Sequence, residues 1–233
     1  MRVLVVDVGG SNIKLGATGA DEHRRLTSGR HLTPQGLVNR VTAAVRDWRY
    51  DVISLGVPGA VGHHGPQKDP GNLAEGWVGF DFNAAFGKPV RVVNDAVMQA
   101  LGAYDGGRML FLGLGTGLGS ALVTDHVVIP LELGDLRIDS GEGLGDRLGR
   151  RGLEASGLEV WRREVSETTE TLANAFRADY VVLGGGNARK VGRLPQRVRR
   201  GGNHDALTGG FRLWEETVEP HDRKPPPVWR VVQ

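Results

Sequence analysis

The chain contains no cysteine, which excludes disulfides and thiolate metal sites and fits a reducing cytoplasm. It has no apolar run near the ~20 residues that cross a bilayer. Its first residues are no signal peptide either, because Met1-Arg2 leads straight into Val3-Leu4-Val5-Val6. Neither a membrane partner nor secretion is expected. A large charge of one sign is lacking too: 29 Lys and Arg against 27 Asp and Glu leave a net charge of +2, which does not mark a nucleic-acid binder. What remains is ordinary for a globular protein, with 233 residues, 39% hydrophobic and 24% charged. That length holds one large domain or two small ones, each with a core. The positive residues are uneven, gathering at Arg147, Arg150, Arg151, Arg162 and Arg163, and again at Arg189, Lys190, Arg193, Arg197, Arg199 and Arg200. Such clusters are either solvated helix faces or an attraction for a polyanion such as a nucleotide or a phosphate chain.

The first third reads as three strands, a helix and a strand. Residues 2–8, 12–18 and 23–28 are β-type runs divided by Gly9-Gly10 and Gly19-Ala20-Asp21. Thr33-Pro34 opens a helix, Thr as N-cap and Pro in the first turn. Its apolar face runs through Leu37, Val38, Val41, Ala44, Val45 and Trp48. Val52–Val57 is an apolar strand stopping at Pro58-Gly59. Residues 62–81 show no clear period, and a loop that long inside a compact domain is more often functional than idle. A short helix over 82–87, a strand Val90–Val93 and a helix through Ala96, Val97, Ala100 and Leu101 follow. The second half opens with a hairpin, Met109–Leu112 and Ser120–Val123. A long amphipathic helix carries Trp161, Val165, Thr168, Leu172 and Phe176. Strand Tyr180–Leu183, a last helix near 204–214 and a proline-bearing tail over 215–233 complete the chain, and the tail is expected to be mobile. Two strand-rich halves, each with a glycine turn, predict two lobes with a ligand cleft between them.

Three glycine turns and one carboxylate carry the chemistry. In Asp7-Val8-Gly9-Gly10-Ser11-Asn12-Ile13-Lys14, glycines let backbone amides approach an anion, and a hydroxyl and an ammonium add donors. Asp7 at the strand end suits Mg²⁺ held through water; the plainer reading is a tight β-turn. Gly115-Thr116-Gly117-Leu118-Gly119 lies between strands, so it is neither a dinucleotide fingerprint nor a P-loop, both of which need a following helix. Gly184-Gly185-Gly186-Asn187 is predicted as a strand-to-helix junction, whose amides and partial positive charge favour phosphate, or else as a crossover turn. Asp95 follows a strand and starts a helix, so it is either an N-cap or a general base, with Asn94 placed for a sugar hydroxyl.

The order of Asp7–Lys14, Val57-Pro58-Gly59, Asn72-Leu73 with Trp77, Asn94-Asp95, Gly115–Gly119, Glu132-Leu133-Gly134 and Gly184–Gly186 resembles the ROK family of sugar kinases, within it the polyphosphate glucokinase branch. The likeness spans roughly residues 2–214. It implies the α/β actin/hexokinase fold with two ribonuclease-H-like lobes and an interdomain cleft. Residues 1–95 with the helix at about 204–214 would form the small lobe, and 96–203 the large one. It also implies a phosphoryl donor (ATP or inorganic polyphosphate), Mg²⁺, a hexose acceptor and a homodimer. By the same likeness Asp95 is the base for the 6-hydroxyl, and Asn72, Asn94 and Glu132 bind sugar. Asp7, Gly9, Gly10, Ser11, Lys14, Gly115, Thr116 and Gly117 surround the transferring phosphate, with Gly185 and Gly186 beside the distal donor.

Two departures from the family pattern stand out. Glu132-Leu133-Gly134-Asp135 replaces Glu-x-Gly-His, and with no cysteine the structural zinc site of many members is not expected. Asp135 accepts hydrogen bonds at neutral pH but does not donate them, which bears on glucose specificity. Glu154, with Glu142 behind it, is the candidate for a second sugar-binding glutamate. Two rival functions follow from the family. A sugar-responsive repressor would need a DNA-binding segment ahead of the first strand, which begins at residue 2. A catalytically silent sugar sensor is motivated by Asp135 but opposed by the intact Asp7, Lys14, Asn94, Asp95 and Gly115–Gly119.

Overall fold

A computed structural model describes residues 1–125, 127–137, 141–202, 204–215 and 230–232. Strands β1 (Val3–Val8), β2 (Asn12–Ala17) and β3 (Arg24–Thr27) form an antiparallel meander. Helix α1 (Pro34–Ala44) follows; the Thr33 side chain accepts the Gly36 amide as N-cap. This helix ends at Ala44, so Trp48 lies beyond it, under the Arg24 guanidinium at 4.4 Å. Strand β4 (Val52–Val57) leads into a minimal hairpin, β5 (Val61–Gly62) and β6 (Gly65–Pro66). The rest of the 62–81 loop is pinned by Asp69, whose carboxylate accepts the Gly76 and Trp77 amides at 3.0 and 2.7 Å, and by the fully buried Trp77 ring. Helix α2 (Phe82–Phe86), stopped by Gly87 at φ 62°, precedes β7 (Val90–Asn94) and α3 (Asp95–Ala103).

The second half holds β8 (Met109–Leu114), β9 (Leu118–Thr124) and β10 (Val127–Leu131), then α4 (Leu144–Leu148), α5 (Arg150–Ser156) and α6 (Leu158–Ala175). Strand β11 (Tyr180–Gly184), β12 (Val198–Arg200), α7 (Asp205–Arg212) and β13 (Arg230–Val231) complete the described chain. The expected tail falls, for residues 216–229 and 233, outside the described residues.

Strand order is β3-β2-β1-β4-β7 in one sheet and β12-β11-β8-β9-β10-β13 in the other. Each has an antiparallel hairpin followed by a parallel crossover strand. β1 and β4 are buried along their whole length, as strands covered on both faces must be. Leu4, Val6 and Val8 pack toward α1, while Val3 and Val5 pack toward α3 and α7. Leu110, Leu112 and Leu114 of β8 pack with Trp161 and Val165 of α6, and Met109 and Phe111 face the centre. The layers are therefore helix, sheet, a central pair of helices, sheet, helix. This is the two-lobed α/β architecture of the actin/hexokinase type.

The central pair sets how closely the two sheets approach. A Cβ on Gly209 would lie 1.8 Å from the Met98 carbonyl oxygen, and one on Gly102 would lie 1.8 Å from that of Asp205. The helices thus touch backbone to backbone. Gly210 likewise admits Val5, while Ser54 Oγ donates to the Gly210 carbonyl at 2.5 Å. The third glycine segment departs from expectation. Only a four-residue 3₁₀ turn, Ala188–Val191, follows it, and no α-helix begins there. The Asn187 amide donates to the Leu114 carbonyl and its Nδ2 to that of Gly115, so the segment is tied to the second turn instead of winding into a helix.

Gly209→Ala tests the central contact. Alanine favours a helix by about 1 kcal/mol, yet the methyl meets a carbonyl oxygen, and overpacking of this kind costs about 3 kcal/mol. The clash should win: the urea midpoint falls for Gly209→Ala and stays put for Gly71→Ala, where a Cβ meets open space.

Candidate active site

Between the two sheets lies a cleft of about 930 Å³. Its walls bring together Asp7, Gly9, Gly10, Ser11, Lys14, Asn72, Asn94, Asp95, Gly115, Thr116, Gly117, Glu132, Gly185 and Gly186. The first two glycine turns converge there. A Cβ on Gly10 would lie 2.5 Å from Asn72 Nδ2 and 3.7 Å from Thr116 Oγ1. Gly10 is thus a glycine because the first turn meets the Asn72 loop and the second turn at that point. The second turn is buttressed from behind. A Cβ on Gly149, between α4 and α5, would strike the Thr116 carbonyl at 2.5 Å, and the Arg150 amide donates to the Gly115 and Thr116 carbonyls.

Asp95 stands at the helix start without acting as its cap. Asn94 is the cap: its Oδ1 accepts the Ala96 and Val97 amides at 2.8 and 3.2 Å. Asn94 Nδ2 donates to the Gly59 carbonyl at 2.8 Å, leaving one amide hydrogen for a ligand. Asp95 Oδ1 shares the Ala96 amide at 2.9 Å, and its carboxyl faces the cleft. Its pKa is pushed up to about 7, chiefly because surrounding protein strips its solvation and secondly because Asp7 carries like charge nearby. The Ala96 amide and Lys14 pull the other way.

Asp7 is buried, 4% exposed, and takes the Lys14 ammonium at 3.1 Å. Burial raises its pKa and Lys14 lowers it. β4 runs between the two carboxylates and presents Gly56, whose missing Cβ would lie 3.5 Å from Asp7 Oδ1. Among the described residues no group of three His, Cys, Asp or Glu gathers to form an all-protein metal site. A single carboxylate such as Asp7 is nevertheless what Mg²⁺ needs when substrate phosphates and water fill its remaining positions.

The sugar-side candidates divide. Asn72 and Glu132 border the cleft. The Glu132 pKa is raised by partial desolvation and by Asp135, against Lys68. Asp135 ends a 3₁₀ turn, Leu133–Asp135, and is exposed outside the cleft lining. Glu154 lies on an exposed face of α5, also outside the lining, and Glu142 is exposed. Of the second basic cluster only Arg189 and Arg200 reach the cleft. Arg199 turns to the Tyr180 ring and the Ala103 carbonyl. The sequence pattern gave no signal for His23, Arg25, Gln99 and His204 on the walls, whereas Arg150 there belongs to the first basic cluster. A second cavity of about 640 Å³ gathers His63, His64, Asp81 and Arg91. It has no phosphate turn, and Arg91 there covers the Trp214 ring at 4.1 Å.

The fold is similar to that of solved ROK sugar kinases. An inorganic polyphosphate/ATP-glucomannokinase from Arthrobacter sp. strain KM superposes with a TM-score of 0.77 at 24% identity, covering 90% of this chain and 96% of that one. A ROK glucokinase from Streptomyces griseus, solved with glucose and AMPPNP, gives 0.65 at 18%, covering 90% and 98%. In sequence the chain is related to polyphosphate glucokinases. The one from Mycobacterium tuberculosis H37Rv is 27% identical over 209 residues, 80% of this chain and 78% of the relative. That of Mycobacterium leprae is 26% identical over 212 residues, 81% and 64%. No protein-family model matches the chain.

The Asp95 environment makes a prediction with a definite sign. Its folded pKa, about 7, exceeds the 3.8 of a free side chain, so the folded state holds this proton more tightly. Stability from it is complete below pH ~4 and lost as pH rises through 7. Asp95→Asn should match wild type in urea unfolding at pH 4 and exceed it at pH 8 by about 2–4 kcal/mol. Equal midpoints at pH 8 would show that the carboxylate carries no such penalty.

Proposed function

We propose that this protein is a hexose kinase that transfers a phosphoryl group from polyphosphate or ATP to the 6-hydroxyl of glucose, with Asp95 as general base. The observation that carries this reading is Asp95 itself: a carboxyl freed from capping by Asn94, facing a cleft between two glycine turns, with its pKa pushed up to about 7. A base poised near neutral pH accepts a proton well and is still largely available. Polyphosphate glucokinases as relatives support the donor and the sugar, and the cysteine-free chain suits a cytoplasmic enzyme.

In this mechanism the sugar enters between Asn72 and Glu132, and Asp95 accepts the proton of the attacking hydroxyl. The sugar oxygen bonds to phosphorus as the bond to the leaving phosphate breaks, and the leaving chain keeps that electron pair. Lys14 and the amides of the two turns stabilise charge on the phosphoryl oxygens. Mg²⁺, bound through water at Asp7, would neutralise phosphate charge. Lys14 opposes the rise that burial imposes on the Asp7 pKa and fixes the direction of its carboxylate.

A positioned base contributes ~10²–10⁴-fold. Asp95→Asn should therefore lower kcat at least about a hundredfold while glucose still binds, measured by a coupled assay and calorimetry. Near-normal turnover would remove Asp95 from this role. Absence of turnover in wild type with glucose, Mg²⁺ and either donor would favour a silent sugar binder.

A further inference from the structure

Resting on the kinase reading, we propose that β3 extends the donor site: Arg25, with the His23–His204 pair at its outer end, holds the phosphates of a linear polyphosphate behind the one being transferred. The first argument is register. Asp7 of β1 stands opposite Lys14 of β2, and Lys14 stands opposite Arg25 of β3. Directly opposed residues of an antiparallel ladder share a face. The three side chains therefore form one row along the cleft wall, stepping outward from the reacting carboxylates by ~4.8 Å per strand.

The second argument is what each cation already does. Lys14 is committed to Asp7 at 3.1 Å. Arg24, the preceding residue of β3, also borders the cleft, but its guanidinium pairs with both Asp47 carboxylate oxygens at 2.6 Å and covers Trp48. Arg25 is exposed and lines the cleft, and its side chain makes no ion pair or hydrogen bond among the described residues. One arginine of the strand is structural, and its neighbour is left for a ligand. A planar fork of donors on an exposed stem suits phosphate oxygens.

The outer end is built where the start of β3 meets the start of α7. Gly16, one step beyond Lys14 on the same face, has no side chain, and a Cβ there would lie 3.4 Å from His23 Nδ1 and 3.0 Å from Leu207. This opening lets α7 come close, and the His23 and His204 rings sit 5.3 Å apart at 53°. The other charged groups at this end are Arg24, already paired with Asp47, and Arg189, Arg200 and Asp205. Arg200 donates to the Ala188 and Gly192 carbonyls, and Asp205 accepts the Gly202 amide at 2.7 Å. Cations outnumber the single carboxylate, so the wall favours a polyanion. Among the described residues its lining has no Phe, Tyr or Trp, and so offers no broad aromatic face for a purine. A repeating phosphate chain needs none.

The test compares binding of long-chain polyphosphate and of inorganic triphosphate by calorimetry, in wild type, Arg25→Gln and Arg40→Gln, an exposed arginine on α1. Wild type should bind the long chain more tightly. Losing one charge-assisted contact should weaken the long chain about tenfold in Arg25→Gln, with a much smaller change for triphosphate. His23→Gln should move the long-chain affinity the same way, and Arg40→Gln should leave the ratio unchanged. Equal affinity of wild type for both donors would overturn the proposal, as would equal losses for both in Arg25→Gln. Because binding is read without turnover, a wild type that binds the chain but leaves glucose unphosphorylated sinks the kinase reading instead.

Discussion

The site depends on two carboxylates, Asp7 and Asp95, brought close enough to feel one another where the protein removes most of their water. Like charges in such a place repel, and the structure answers that repulsion unequally. Asp7 receives an ammonium at 3.1 Å. Asp95 receives one shared backbone amide, so its proton is held up to about pH 7. The environment treats two identical functional groups differently: one is held against an ammonium, and the other is left to keep its proton up to about pH 7. Glycine at position 56 of the strand between them belongs to the same arrangement.

Holding this pair requires that both lobes converge on one point. α3 begins at Asp95 and ends within the central core, so the helix that presents this carboxyl also joins the sheets. Its contact with α7 is made through Gly102 and Gly209. The same helix N-terminus packs against the second turn, since a Cβ on Gly119 would lie 2.8 Å from the Ala96 methyl. Asp95, the two glycine turns and the central core are one continuous packing problem. The glycines in these motifs are therefore contact residues as much as flexible ones.

Much of this was legible in the sequence because it is local. The strand Val52–Val57 and the Thr33 cap follow from apolar pattern and cap chemistry, and the structure places both as expected. The ordered motifs brought the cleft residues to light before any coordinates. Long-range features were harder to read. Whether Asp95 or Asn94 caps α3 depends on a choice between neighbouring side chains that propensity cannot separate. Short helices α4 and α5 lie in a glycine-rich stretch, too brief to show a period. Gly184–Gly186 carries the composition of a helix entrance, but Asn187 after it is tied to the Leu114 carbonyl by its backbone amide and to the Gly115 carbonyl by its side-chain amide. Arg25 was hidden because its significance lies in ladder register, although pairing Lys14 across the predicted hairpin would have found it.

The central claim is that Asp95 is a proton acceptor tuned by burial and by Asp7. Its most direct test is the pH titration of the Asp95 side-chain carboxyl carbon by NMR, in wild type and in Asp7→Asn. The account predicts a midpoint near 7 in wild type and a lower one when the neighbouring charge is gone. A wild-type midpoint in the ordinary carboxylate range, unmoved by Asp7→Asn, would contradict it.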